Sequence, residues 1–298
     1  MIKVKQLKIV INLNLDSMKK INFLFTAILF ALFMTGCKKD NGPTAYDLAD
    51  PSKGGIMYDK FWSSEAAYDQ NSVNLTKFNT YPDFFKCKQC HAWDGLGTAG
   101  SYINRAAKTT RPNISALNLY QFAKTKTDQE IFDGLKKTAG RRNITTDLST
   151  YNPATPSTQV EGDKMPNYNE LLTDAQIWDI VKFLKAGMFD VSQLYDGTYT
   201  GTYPTGTAAY ANVGKDGNAA NGNTFYTANC ALCHGANGKS ITLETMSLGK
   251  FVRSKPNEVQ HKVKYGQLGS AMAGKFDMTI SQMKDLYKAF SNTTTFPD

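Results

Sequence analysis

Histidine is scarce in this 298-residue chain, which has three, together with three tryptophans and five cysteines. So few imidazoles, set far apart, leave too few local ligands for structural zinc sites built from Cys and His. A basic run suited to a phosphate backbone is also missing, which sets nucleic acid aside as a partner. Convincing runs of strands are absent too, and helical periodicity dominates. The longest apolar run, Ile21 to Thr35, stops short of a comfortable bilayer span.

That run follows Met18-Lys19-Lys20 and ends at small residues, the pattern of a cleaved signal peptide. The cut is expected at Gly36-Cys37, and the tail of the segment, MTGC, resembles a bacterial lipobox with Met34 in place of the usual leucine. In signals of that family the cysteine thiol becomes a thioether to diacylglycerol, which implies Cys37 as the lipid site. Acyl chains would then hold a soluble body at a membrane. Residues 1–17 read as a long leader or an early start codon, and an uncleaved signal anchor is the alternative. Lys38 is not the aspartate associated with inner-membrane retention, so the expected location is the outer membrane facing the periplasm, with the cell surface open. Five of the 34 basic and one of the 26 acidic side chains lie in this leader, which halves the formal +8.

The other four cysteines fall into two pentapeptides, CKQCH (Cys87 to His91) and CALCH (Cys230 to His234). C-x-x-C-H reads as c-type haem attachment. Cys87 with Cys90, and Cys230 with Cys233, add across haem vinyl groups, and His91 and His234 follow closely enough to reach one axial face of the iron. Two copies that use every remaining cysteine outweigh a dithiol/disulfide reading. The expected cofactors are two covalent haems c.

A second axial ligand separates a carrier from a catalyst. Between His91 and Met165 there is no other methionine and no histidine. Met165 opens a loop ahead of an amphipathic helix that Thr173 and Gln176 cap, with Ile177, Ile180, Val181 and Leu184 on one face. The second half repeats this order: PNEVQHKVKYGQLG answers TDQEIFDGLKKTAG, Met272 answers Met165, and Thr279, Gln282 and Asp285 fall in register with Thr173, Gln176 and Asp179. Met272 is therefore the candidate partner of His234. Met246, Met278 and Met283 compete, the last two reading as packing residues. His261 is a rival ligand or a structural or haem-edge residue.

The expected organisation is all-α, with two tandem domains of a few helices each around a haem. The signal peptide spans 1–36, a lipidated tether 37–53, the first domain 54–189, a linker 190–216 and the second domain 217–298. Helices are expected over Met57 to Tyr68 and over Asn223 to Cys230, and the insert from Arg141 to Gly162 is read as loop.

At this point the chain resembles the class I cytochrome c family, twice over. CKQCH, CALCHG, Met165-Pro166, the two terminal helices, Tyr58 to Trp62, Cys87 to Gly97 and Glu258 to Met272 carry the likeness. RPNI, Arg111 to Ile114, resembles that family's proline segment, which implies that the Pro112 carbonyl accepts a hydrogen bond from His91 and fixes its tautomer. Ala273 departs from the proline expected after a ligand methionine, and no clear equivalent of Pro112 follows CALCH. His–Met ligation at both irons leaves no vacant position, so the expectation is one-electron transfer between redox proteins, among them an exported oxidoreductase complex. The rival expectation is a di-haem oxidoreductase whose second iron is open to peroxide, a nitrogen oxide or a sulfur compound.

Overall fold

The computed structural model describes residues 42–62, 85–107, 114–144 and 165–298. The leader, Cys37, Pro112 and most of the expected insert lie outside the described residues. Among the described residues, no helix is long and apolar enough to cross a membrane.

The first half carries α1 (Ala45–Leu48), α2 (Pro51–Lys60), α3 (Cys87–His91), α4 (Leu119–Thr125), α5 (Asp128–Lys136) and α6 (Asp174–Lys182), the last running on as a π turn. The second carries α7 (Ala219–Asn229), α8 (Ala231–His234), α9 (Leu248–Ser254), α10 (Pro256–Tyr265) and α11 (Ile280–Phe290). Local signals set these boundaries. Capping boxes open α5 at Thr127/Glu130, α6 at Thr173/Gln176 and α11 at Thr279/Gln282, each cap worth about 1 kcal/mol.

Two expectations need correction. The helix expected over Met57 to Tyr68 begins earlier, at Pro51, inside the stretch read as tether. Asp50 accepts from Ser52 N and Pro51 occupies the first turn, where its missing N–H costs nothing. Residues 63–68 lie outside the described residues. The segment read as linker instead holds a hairpin of β1 (Asp196–Thr200) and β2 (Thr207–Ala211), paired antiparallel from Asp196↔Ala211 to Thr200↔Thr207. The chain is thus mostly rather than wholly helical. Alternating Thr and Tyr is strand chemistry, and Tyr210 meets the buried Tyr195 edge-on at 5.3 Å.

The buried residues form two apolar clusters, one centred in each half. Tyr58, Phe61, Trp62, Ile177, Ile180 and Phe183 belong to the first, and Tyr226, Val252, Met283, Leu286, Tyr287 and Phe290 to the second. Met278 and Met283 are both core residues of the second half, in keeping with their reading as packing.

One helix crossing recurs in both halves. In the first, α2 crosses α6 so closely that a Cβ on Gly54 would lie 2.0 Å from the Asp179 carbonyl oxygen. In the second, α7 crosses α11, and a Cβ on Gly222 would lie 2.0 Å from the Asp285 carbonyl oxygen. The same two aspartates use their side chains to hold the opposing helix start: Asp179 Oδ1 accepts from Asp50 N at 2.6 Å, and Asp285 Oδ1 from Asn218 N at 2.7 Å. Asp50 and Asn218 are themselves the N-caps of α2 and α7. A second copy of one frame follows from this point for point.

Gly222→Ala is expected to destabilise the protein by about 1–3 kcal/mol through overpacking. Gly134→Ala, on α5 with open space at its Cβ, is expected to be neutral or to stabilise by up to about 1 kcal/mol. Denaturant unfolding of the two variants checks the contrast, and equal effects would contradict the crossing.

Candidate haem sites

Cys87, Cys90 and His91 ride on α3, a single turn that leaves through Ala92 at φ 66°. Cys230 is the junction of α7 and α8, and His234 leaves through Gly235 at φ 78°. In both halves the left-handed residue after the histidine reverses the chain, and a tyrosine from the leading helix secures it. Tyr58 Oη donates to the Ala92 carbonyl at 2.5 Å, and Tyr226 Oη to the Gly235 carbonyl at 2.5 Å. Asp50, Gly54 and Tyr58 on α2 thus match Asn218, Gly222 and Tyr226 on α7: cap, crossing and motif anchor at the same i, i+4, i+8 spacing.

The two motifs differ in enclosure. Burial pushes the Cys87 thiol up to about 11, although the Tyr168 hydroxyl 3.9 Å from its sulfur works the other way. Burial takes the His91 imidazole down to about 4, and the Arg141 guanidinium adds to this. Burial also raises the Cys230 thiol, against the pull of Lys275, and lowers the His234 imidazole. Cys233 is exposed and Leu232 is 98% exposed, so the second motif presents a bare face that the first does not.

Met165 packs against the first-half apolar cluster. Its backbone is pinned to the Arg142 segment, Arg142 N donating to Met165 O at 3.1 Å and Asn167 N to Arg142 O at 2.8 Å. Three residues on, Tyr168 donates its hydroxyl to the Phe85 carbonyl just ahead of α3, and Met165 packs against the same cluster as Cys87. Met272 is held differently. It sits in the turn after α10, with Met272 O accepting from Gln267 N at 3.0 Å and Met272 N donating to Ser270 Oγ at 3.1 Å. It lines a cavity of about 540 Å³ together with Asp50, Lys53, Ile56, Tyr265 and Phe276, and no residue of CALCH is among the lining.

His261 faces the first half. Its ring packs against Trp93 at 5.0 Å, Tyr58 at 5.7 Å, Phe183 at 5.9 Å and Tyr265 at 4.8 Å, and burial takes its imidazole down to about 3. Its neighbours are the aromatic residues of the domain junction, which fits the structural role rather than ligation at His234.

The donor set fits haem c. Among the described residues no disulfide joins the two thiols of either motif. Among the described residues they do not gather with other His, Asp or Glu into a three-ligand cage. His91 Nδ1 and His234 Nδ1 are each buried with no hydrogen-bond partner among the described residues. Burial disfavours the charged form of both imidazoles, and the neutral form is the one that ligates a metal. Sequence reasoning missed Tyr58 and Tyr226 as motif anchors, although their matched spacing from the N-caps was there to find.

Tyr58→Phe orphans a carbonyl in a buried pair, with an expected cost of about 1–3 kcal/mol. Tyr226→Phe affects a partly buried pair, where water can replace the hydroxyl, and is expected to cost less. Denaturant unfolding of the two variants measures the difference, and a larger loss for Tyr226→Phe would contradict the account.

Residues 82–187 match the family model for cytochrome c. Residues 217–288 match the model for the cytochrome c oxidase, cbb3-type, subunit III family. Comparison with curated proteins and with solved structures gives no match. Each matched segment contains one of the two CxxCH turns, and the chain is a two-domain c-type cytochrome protein, a tandem of mostly helical cytochrome-c-like domains.

Proposed function

We propose that this chain is an exported, lipid-anchored di-haem cytochrome c that passes single electrons between redox partners. The observation that carries the reading is the doubled frame, in which the same cap, crossing glycine and anchoring tyrosine serve both CxxCH turns. Haem held in such sites supplies a one-electron couple. Cys87 and Cys90, and Cys230 and Cys233, would tether it covalently, so it would stay with an exported protein. His91 with Met165, and His234 with Met272, are the residues that would hold the two irons, with the Pro112 carbonyl as acceptor for His91. Iron held by both residues of a pair would offer a substrate no open position, and a methionine ligand would raise the potential relative to a histidine pair.

Cys37 is the proposed lipid site, and the envelope, on the periplasmic side of the outer membrane, the proposed location. The match of the second domain to an oxidase subunit family supports a place as a non-catalytic electron-transfer subunit of a larger complex. A second reading has one observation in its favour. Met272 lines a cavity apart from CALCH and is followed by Ala273, which favours a weakly held second iron and small-molecule chemistry there.

Optical titration of the reduced protein with carbon monoxide separates the two. Neither haem is expected to bind it readily. Rapid binding by one haem equivalent would overturn the carrier reading in favour of the enzymatic one.

A further inference from the structure

A cleft of about 650 Å³ opens where the start of α10 faces the chain that leaves the first CxxCH turn. Pockets for small ligands occupy about 300–1,000 Å³, so this space has room for an organic molecule. Trp93 and Tyr102, both buried, give it flat walls from the first half, and Lys255, Asn257 and Lys262 line it from the second.

Most of the charge around the cleft is already answered. Lys88 pairs with Asp59 at 2.5 Å, Lys262 with Glu258 at 2.6 Å, and Lys255 with Glu244. Arg105 is different. Its guanidinium lies 4.3 Å from the centre of the Tyr102 ring and has no carboxylate partner among the described residues. A guanidinium stays charged and offers a fork of donors that matches a carboxylate.

The other wall holds a second set of donors with nothing to bind. α10 opens on Lys255, and no side chain caps its first turn. The N–H groups of a helix start carry partial positive charge and favour an anion. Asn257, in that first turn and only 7% exposed, lines the cleft with a side-chain amide that has no hydrogen-bond partner among the described residues. A buried amide without a partner is costly, and a ligand oxygen beside it would remove that cost. The turn itself is fixed in place. Tyr287 Oη donates to the Pro256 carbonyl at 2.5 Å, and the Gln260 side-chain amide donates to the Asn257 carbonyl at 3.1 Å and to the Trp93 carbonyl at 2.8 Å. The start of α10 and the Trp93 wall are therefore set relative to each other before any ligand arrives, which spares the cost of ordering them on binding.

We propose that this cleft binds a small organic acid carrying two or more carboxylates, with one end on Arg105 and the other on Asn257 and the open start of α10. A ligand with a single anionic group would answer one wall and leave the other bare. Binding there makes and breaks no covalent bond and is independent of electron transfer.

Isothermal titration of the matured, full-length protein with citrate at low ionic strength reads the affinity, and acetate is the single-carboxylate comparison. Citrate is expected to bind at one site per chain, and acetate about tenfold or more weakly. Arg105→Gln and Asn257→Ala are each expected to weaken citrate by about tenfold or more. Neither side chain gives up a hydrogen bond or ion pair, so both variants are expected to melt near wild type without citrate. Lys250→Gln removes an exposed cation that does not line the cleft and is expected to leave citrate binding unchanged. No saturable heat, variants that bind as wild type does, or equal weakening by Lys250→Gln would each overturn the proposal. Acetate that binds as tightly as citrate would overturn the two-ended site. Hydrogen exchange on the wild-type protein decides even where a variant does not fold. Citrate is expected to slow exchange across residues 101–107 and 255–262, and no change in either segment would sink the idea.

Discussion

In each half, two helices touch backbone to backbone at a glycine, and a single aspartate on the later helix ties down the start of the earlier one. Asp179 and Asp285 do this through side chains whose own backbone carbonyls face Gly54 and Gly222. The crossing fixes the axial position and rotation of α2 and α7, and both consequences matter at the motif. One turn after the glycine, Tyr58 or Tyr226 is aimed at the carbonyl behind the CxxCH histidine. A shift of either helix would carry that hydroxyl away from its acceptor. The histidine would then lose the reversal that orients it, so the placement of His91 and His234 depends on a contact between helices outside the CxxCH turn.

On this shared frame the two domains diverge in what surrounds the motif. The first is closed by Tyr168, by the pinned Met165 segment and by α10 from the other half. The second leaves Leu232 and Cys233 bare and keeps its candidate methionine in a turn packed toward α2. Closure raises the cost of charge inside, which is why the Cys87 thiol and the His91 imidazole are pushed so far toward their neutral forms.

Short-range chemistry made much of this legible in the sequence. Capping boxes, CxxCH turns and the Met-to-cap order each depend on residues within a few positions of one another, and the structure carries the caps at Thr173 and Thr279 as expected. The N-terminal half of the repeat was overlooked, because Asp50 and Asn218 differ in type although both accept from backbone N–H groups. The hairpin was hidden by its glycine-rich composition, which masks a two-residue Thr/Tyr alternation. Long-range burial was not legible at all. Periodicity shows that α10 has an apolar face but not that the face belongs to the other domain, so His261 and Gln260 took on meaning only once Trp93 lay against them.

The most direct test of the account is the haem stoichiometry of the chain matured in a host able to attach haem c. Intact mass and pyridine haemochrome spectra are read together after denaturation. The account requires two haems per chain, both retained on denaturation, with one lost when Cys87 and Cys90 are replaced by serine and the other when Cys230 and Cys233 are. A chain that keeps only one haem, or that carries none and binds zinc or forms disulfides at these cysteines instead, would contradict it.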